Sequence, residues 1–152
     1  TMTPHELYQR PGFLLRRMYQ IAAAVFENAC GDLGLTTAQY GVLIIVHSEP
    51  GIDQTRLARA LAFDKVTVMR VLRGLEERGL VQRVASGRQK TLALTDAGLA
   101  LLTQARERAE AASRRLMSPL DSADQAQLVR LLQTLVNGLA HEARAPFVPL
   151  ER

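Results

Sequence analysis

The chain has 152 residues, of which 47% are hydrophobic and 22% are charged. This balance is typical of a folded globular protein of about one domain and excludes an intrinsically disordered chain. Lys and Arg outnumber Asp and Glu by 19 to 15, so the net charge of +4 permits a polyanionic partner without requiring one.

Helical periodicity dominates the first third of the chain. Apolar residues recur at steps of three and four from 13 to 30, and Gly31 ends this predicted helix. A second, strongly apolar helix is predicted within LTTAQYGVLIIVHSEPG. Thr36 or Thr37 is its natural N-cap, and a Pro-Gly pair ends it.

A helix-turn-helix pattern follows. Asp53 is suited to cap a short helix and Asp64 to cap the next one, which leaves a turn of three or four residues between the two helices. After Gly79 the period of the apolar residues changes to two. The stretch LVQRVASGRQKTLALT therefore predicts a hairpin of two short strands.

Two long helices return after the hairpin. The first is predicted from Thr95 to about Met117 and the second from Asp121 or Ser122, with RAPFVPLER as an extended arm. The last helix carries more apolar residues than a small domain can cover: Leu128, Leu131, Leu132, Leu135, Val136 and Leu139. A second copy of the chain would bury them, so we expect a homodimer.

The helix that Asp64 caps has two different faces. Val68, Val71, Leu72 and Leu75 form a stripe suited to the core. The opposite face and its flanks carry basic and small apolar residues: Lys65, Val66, Thr67, Met69, Arg70 and Arg73. Arginines that can bind guanine and apolar groups that can contact a thymine methyl suit direct readout in the DNA major groove.

The tip of the predicted hairpin is basic. RVASGRQK carries Arg83, Arg88 and Lys90, while Ser86 and Gly87 are small enough for close approach to a phosphate or a narrow minor groove. A short helix, a turn, a basic helix and a basic hairpin in this order predict a winged helix-turn-helix that binds double-stranded DNA.

Each basic residue also has an ordinary structural explanation. Surface arginines are most often solvated or paired with an acid one turn away, and Glu76 and Glu77 are available to Arg73. A Gly-Arg turn such as the one at Arg88 is usually only a turn. The co-location of the basic helix and the basic hairpin favours the DNA-binding interpretation.

The stretch LTTAQYGVLIIVHSEPGIDQTRLARALAFDKVTVMRVLRGLEERGLVQR, followed by LALTDAG, resembles the MarR family of bacterial transcriptional regulators over residues 35 to 98. The resemblance implies a mainly α-helical fold with a small β-hairpin wing. One domain would span 1–152, with the winged helix-turn-helix at 35–95 and dimerisation helices at 12–34 and 96–143. It also implies a homodimeric repressor that binds a palindromic operator and is released by a small ligand.

The resemblance assigns a role to individual residues. It places Lys65, Thr67, Arg70 and Arg73 in the family's recognition helix, and Val68 in the same helix, although we expect Val68 to lie in the core. Arg88 matches the wing arginine of the family. The wing departs from the family pattern, because it is shorter and lacks the Asp that usually precedes the arginine. How deeply it enters the minor groove is open, and Arg83 or Lys90 would share its role.

The segment RPGFLLRRMYQIAAAVFE resembles the subgroup of this family that responds to aromatic carboxylates. The resemblance implies a pocket between the first two helices and the long helix after the hairpin. We expect these ligand-binding residues: Phe13, Arg16, Arg17, Tyr19, Gln20, Tyr40 and His47. An arginine can hold a carboxylate while aromatic rings cover its apolar body. Two alternatives to ligand binding remain. Arg16 or Arg17 would form an intersubunit ion pair, and Tyr40 or His47 would be a core residue.

Other classes of function fit the sequence less well. The three histidines are far apart, and no metal, phosphate-loop or nucleophile motif is present, so we expect no enzyme, no metal and no cofactor. A thiol redox sensor would use Cys30, but the neighbouring acids Glu27 and Asp32 would raise the thiol pKa. A winged helix used only for protein contacts stays open.

The cellular setting follows from what the sequence lacks. Its longest apolar runs, IAAAVF and GVLIIV, are too short to cross a bilayer. The first ten residues lack the cationic start and apolar block of a secretory leader, and a single cysteine cannot form an internal disulfide. We therefore expect a cytoplasmic protein without membrane contact.

Overall fold

The computed structural model describes residues 1–151 and confirms a mainly helical fold with one antiparallel hairpin. The helices and strands, in chain order, are α1 Pro4–Tyr8, α2 Pro11–Cys30, α3 Thr37–Ser48, α4 Gln54–Ala60, α5 Lys65–Glu77, β1 Val81–Ser86, β2 Gln89–Leu94, α6 Asp96–Met117 and α7 Ser122–Gly138. Short 3-10 turns at Gly31–Leu33 and Ala140–Glu142 follow α2 and α7. The elements therefore follow the order that the sequence predicts.

Most helices begin where a capping side chain was predicted. Thr36 starts α3 with a capping box, in which its hydroxyl accepts from the Gln39 amide and the Gln39 side chain accepts from the Thr36 amide. Asp53 caps α4, and Asp121 caps α7. These side chains satisfy backbone N–H groups that have no partner inside their helix.

Two terminal features differ from the sequence prediction. The short helix α1 was not predicted; Thr3 and Glu6 form its capping box. The tail is irregular, but it does not leave the domain: the Val148 amide donates to the Arg59 carbonyl at 2.9 Å, and Leu150 packs against the core. Only Arg152 of the predicted arm lies outside the described residues.

The core lies where α3, α4 and α5 meet the hairpin and α6. Its largest fully buried side chains include Leu43, Ile52, Leu57, Leu72, Leu75, Leu92 and Leu102. The predicted stripe on α5 is confirmed, since Val68 is 2% exposed and Leu72 is fully buried. Burying one such side chain contributes about 1.5–3 kcal/mol, so the stripe holds the orientation of α5 firmly.

The terminal helices leave much apolar surface uncovered. No residue of α7 is buried, and its apolar side chains are more than a third exposed, with Leu135 and Val136 above one half, as is Leu139 directly after the helix. Leu14 and Leu15 of α2 are also about half exposed. This much exposed apolar surface on a folded chain marks a surface that another molecule covers.

Within residues 1–151, no single helix is both long and apolar enough to span a membrane. Only α2, with the turn after it, and α3 meet the length and composition criteria together, and they are bent by 70° relative to each other.

Candidate nucleic-acid interface

The N-terminus of α5 is fixed by Asp64. Its carboxylate accepts a hydrogen bond of 2.7 Å from the Thr67 amide, and this bond holds the pKa of Asp64 below its usual range. The turn before it is tight: the Phe63 amide donates to the Ala58 carbonyl at 2.8 Å, and Ala62 has a φ of +56°. The angle between α4 and α5 is thus set by local hydrogen bonds.

The outward face of α5 carries the predicted residues. Val66 is 76% exposed and Met69 is 50% exposed, an unusual position for apolar side chains on a helix whose other face is buried. Lys65, Arg70 and Arg73 are exposed, and none of the three forms an ion pair within residues 1–151. Their charges are therefore available to an anionic partner.

Thr67 and Val68 differ from this outward group. Thr67 is half-buried, and its amide is used by the cap at the helix start. Val68 lies in the core, as expected. Neither side chain belongs to the most exposed part of the face, which Val66, Met69, Arg70 and Arg73 form.

The hairpin places Arg88 and Lys90 at its outer end. Ser86 pairs with Gln89, so the turn consists of Gly87, at a φ of +62°, and Arg88. Both Arg88 and Lys90 are exposed and have no ion-pair partner in the described chain. As far as residues 1–151 show, the wing thus ends in two cations without an ion-pair partner.

Arg83 is not at the tip, where the sequence placed it. It lies inside β1 opposite Leu92, and its guanidinium contacts Glu76 at 3.1 Å and the Gln54 side-chain oxygen at 2.9 Å. Glu76 is therefore paired with the strand and not with Arg73, its neighbour one turn away. The register of the hairpin, which the sequence left undetermined, sets this long-range pair.

The predicted ligand residues do not converge on one site. Phe13 packs against the Tyr8 ring at 5.3 Å, and the Arg16 guanidinium lies 5.4 Å from the centroid of the Phe13 ring. Arg17 donates to the Gln20 side chain on the same helix. These four predicted residues form local contacts on the first half of α2.

The other three predicted residues lie in different surroundings. Tyr19 is 77% exposed. Tyr40 is half-buried against Phe26, with ring centroids 5.5 Å apart, and burial raises the pKa of its hydroxyl. His47 lies at the end of α3, beside the base of the hairpin. Only Tyr19 borders the apolar cleft between the helices.

That cleft has a volume of about 540 Å³ and lies between α2, α3, α6 and the turn before α5. Its lining consists of Tyr19, Ala22, Ala23, Val25, Phe26, Thr37, Ala38, Gly41, Leu61, Phe63, Ala109, Ala112, Ser113 and Leu116. Of these residues the sequence prediction named only Tyr19, because it chose polar and aromatic side chains of the first two helices and most of the lining is small and apolar. The signal was the run of small residues on α2 and α6, which keeps the helices from filling the space between them.

Cys30 is fully buried at the end of α2. Burial is the main reason that the pKa of its thiol is raised, while Arg108 opposes the rise and Asp32 adds to it. Asp32 itself is paired with Arg108. The sequence attributed the raised pKa to neighbouring acids, but burial contributes more. A buried thiol with a raised pKa is poorly suited to react with oxidants.

Together, α4, the turn, the exposed cationic face of α5 and the basic hairpin define a winged helix-turn-helix DNA-binding protein. Residues 33–90 match the sequence model of the MarR family. A transcriptional repressor of the helix-turn-helix type from Mycobacterium tuberculosis is 32% identical over 127 residues, covering 82% of this chain and 91% of the relative. The chain belongs to the MarR family, and it is a transcriptional regulator, not an enzyme.

Solved structures of regulators share the fold of most of this chain. A probable transcriptional regulator from Pseudomonas aeruginosa is 35% identical with a TM-score of 0.82, covering 85% of this chain and 98% of that one. The repressor CouR of Rhodococcus jostii, bound to a 23-mer DNA duplex, is 29% identical with a TM-score of 0.81, covering 90% and 99%. BpsR of Bordetella bronchiseptica, whose DNA binding 6-hydroxynicotinic acid regulates, is 29% identical with a TM-score of 0.81, covering 88% and 99%.

Proposed function

We propose that this chain is a homodimeric repressor that binds a palindromic DNA operator and leaves it when an aromatic acid binds. The observation that carries the proposal is the outward face of α5, where Arg70 and Arg73 form no ion pair within residues 1–151 and lie beside exposed Val66 and Met69. Arginine can bind the guanine edge, and apolar groups can contact the thymine methyl. Such a regulator would act in the bacterial cytoplasm, where the chromosome lies.

The uncovered apolar face of the terminal helices supports a dimer. A second chain would bury the exposed leucines of α7 against α2 and α6 of the first, which is how homodimers cover self-complementary patches. A twofold axis would then set the two α5 helices about 34 Å apart, one turn of DNA. The expected operator is therefore a near-palindrome with two half-sites.

The cleft of about 540 Å³ is the proposed effector site. Its volume lies in the range of small-molecule sites, and its lining is mostly apolar with the hydroxyls of Tyr19, Thr37 and Ser113. No arginine of the described residues lines it, so the aromatic body of a ligand fits it better than its carboxylate does. The neighbour BpsR, regulated by 6-hydroxynicotinic acid, supports a ligand of this class.

Ligand binding would act on the DNA-binding lobe by a change of geometry. The cleft touches Leu61 and Phe63 in the turn that positions α5. A ligand that binds only to the widened cleft stabilises the conformation in which the cleft is wide. In that conformation the two recognition helices would have a spacing other than that of the DNA-bound dimer. Two helices whose spacing differs from one turn of DNA cannot both enter the major groove, so affinity falls.

The DNA-binding proposal is tested with a duplex of 25 base pairs selected by the wild-type protein from a random library. We expect Arg73→Ala to weaken binding by about 1–3 kcal/mol and relax the base preference, because it removes a base contact. Arg115→Ala is the matched control, since it removes the same charge roughly 28 Å along α6 from the hairpin. If no duplex is enriched, or if the two variants bind alike, the proposal is wrong.

The effector site is tested by thermal unfolding with benzoate, 4-hydroxybenzoate and 6-hydroxynicotinic acid. A ligand at about 100 times its dissociation constant adds roughly 2.7 kcal/mol of stability. Ala112→Leu places a larger side chain in the cleft, so it should abolish the ligand-induced rise of the unfolding midpoint while the protein still binds DNA. Ala111→Leu changes an exposed neighbour and should keep this rise. Equal shifts in both variants would place the ligand elsewhere.

A further inference from the structure

One guanidinium joins three elements of the DNA-binding lobe. Arg83 projects from β1, its Nε and Nη2 contact the Glu76 carboxylate of α5 at 3.2 and 3.1 Å, and Nη2 also donates to the Gln54 side chain of α4 at 2.9 Å. The two helices of the helix-turn-helix and the wing are thus linked by a single side chain. The other two cations of the hairpin, Arg88 and Lys90, form no ion pair with any residue from 1 to 151.

We infer that Arg83 is a positioning residue, which fixes the wing against the recognition helix through Glu76 and does not itself contact DNA. The inference rests on the proposed DNA binding and concerns how the lobe achieves it. It assigns DNA contact in the wing to Arg88 and Lys90 alone.

The positive charge of Arg83 is already paired with the Glu76 carboxylate. Its side chain is 32% exposed and that of Glu76 is 33% exposed, so the pair is neither free in solvent nor buried. A phosphate that approached Arg83 would also approach the Glu76 carboxylate, and the two charges would largely cancel. Arg88 and Lys90 have no ion-pair partner within residues 1–151, so they attract an anion more strongly than the paired Arg83 does.

The position of the pair explains why it matters for the wing. A two-stranded hairpin is marginally stable alone and needs contacts with the rest of the domain. At its base, buried Leu92 anchors β2, and the Leu92 amide donates to the Ile52 carbonyl at 2.9 Å. Arg83 lies opposite Leu92 and ties β1 to the helices at the same level. Beyond this level the residues from 84 to 90 are exposed and Thr91 is half-buried, so most of the contacts that hold the angle of the tip lie here.

The pair also borders the surface that would read bases. Glu76 and Arg83 line a depression of about 420 Å³ together with Met69 and Arg73 of the outward face of α5. Loss of the pair would therefore change how the wing and this face lie relative to each other. A partly exposed ion pair contributes little to folding, so the effect should appear in DNA affinity and not in thermal stability.

The experiment compares Glu76→Ala with Arg83→Ala on the selected duplex of 25 base pairs. If Arg83 positions the wing, both variants should weaken binding by a similar factor of about three to ten, and the double variant should be no weaker than either single one. If Arg83 contacts DNA, Glu76→Ala should bind as tightly as wild type or tighter, because it frees a cation and removes a negative charge. That result would overturn the inference.

Glu77→Ala is the matched control. Glu77 lies next to Glu76 on α5 and lines the same depression, but it forms no ion pair within the described chain. Its removal changes the net charge as Glu76→Ala does and should leave affinity unchanged or slightly higher. An equal loss in both variants would mean that the pair has no special role.

Two further measurements separate positioning from contact. The dependence of log affinity on log salt should keep its slope in Arg83→Ala, since no phosphate contact is lost; a slope shallower by about 1.8 per dimer would indicate such a contact. The exchanged pair Glu76→Arg with Arg83→Glu should recover most of the lost affinity. Failure to recover it would contradict the inference.

A readout without DNA keeps the two proposals distinct. Hydrogen exchange of the wing amides should accelerate in both Glu76→Ala and Arg83→Ala relative to wild type and to Glu77→Ala. If the wild type enriches no duplex, the proposed function is wrong. Independently of that result, unchanged hydrogen exchange of the wing amides in Glu76→Ala and Arg83→Ala would refute the positioning role.

Discussion

Gly98 sits where the DNA-binding lobe joins the long helix α6, and Gly98→Ala should destabilise the protein. A Cβ atom at this position would lie 2.1 Å from the Leu80 carbonyl oxygen, whereas contacts of this kind below 3.0 Å essentially do not occur. The backbone must therefore separate by about 0.9 Å or more. The Leu80 oxygen also accepts from the Thr95 amide at 3.1 Å, so the shift strains the hydrogen bond that begins α6.

The expected cost follows from these contacts. Overpacking typically costs about 1–3 kcal/mol and a lost hydrogen bond about 1 kcal/mol. The better helix propensity of Ala returns about 0.5–1 kcal/mol, which leaves a net loss of roughly 1–3.5 kcal/mol. For a chain of this length that loss lowers the unfolding midpoint by about 2–14 °C.

The assay is thermal unfolding of wild type, Gly98→Ala and Gly74→Ala at one fixed protein concentration. Gly74 is the matched control because it lies inside α5, where an added Cβ would be 3.7 Å from its nearest neighbour, an ordinary contact. Gly74→Ala should raise the midpoint slightly. If Gly98→Ala behaves in the same way, the junction between Leu80 and α6 is not packed as described.

Three other substitutions address separate parts of the molecule. Arg88→Ala should weaken binding to the selected duplex and make its salt dependence shallower by about 1.8 per dimer; unchanged affinity would mean that the wing does not reach DNA. Leu135→Glu on α7 should give a monomer by analytical ultracentrifugation, because a charge would be buried between the subunits; an unchanged mass would refute the α7 interface. Asp64→Ala should lower the unfolding midpoint near neutral pH, because it removes the cap of α5. Since the folded pKa of Asp64 is depressed, its contribution is present above the ordinary pKa of about 3.9 and is lost as the pH falls through the lower folded value. The gap between wild type and variant should therefore narrow in acid, and a constant gap would contradict this assignment.

Local patterns in the sequence predicted much of the fold. The apolar stripe of α5 and the caps at Thr36, Asp53 and Asp64 are short-range features, and each is found where the pattern placed it. Helix periodicity and capping depend on residues within one or two turns, which a single sequence displays directly.

The features that sequence reasoning missed depend on contacts between distant segments. The sequence offered a pair between Arg73 and Glu76 or Glu77 as an alternative to DNA binding, whereas the hairpin register brings Arg83 to Glu76. The cleft likewise combines small residues of α2 and α6 with the turn at Phe63. Such positions follow from the packing of elements, which periodicity does not specify.

In the proposed complex, α5 of each subunit enters the major groove of one operator. Dimethyl sulfate probes guanine N7 in that groove, and protection of the selected duplex measures the contact directly. We predict two protected segments centred about 10 base pairs apart, with guanine protection lost in Arg73→Ala. A single protected segment, or full protection retained in Arg73→Ala, would contradict the account.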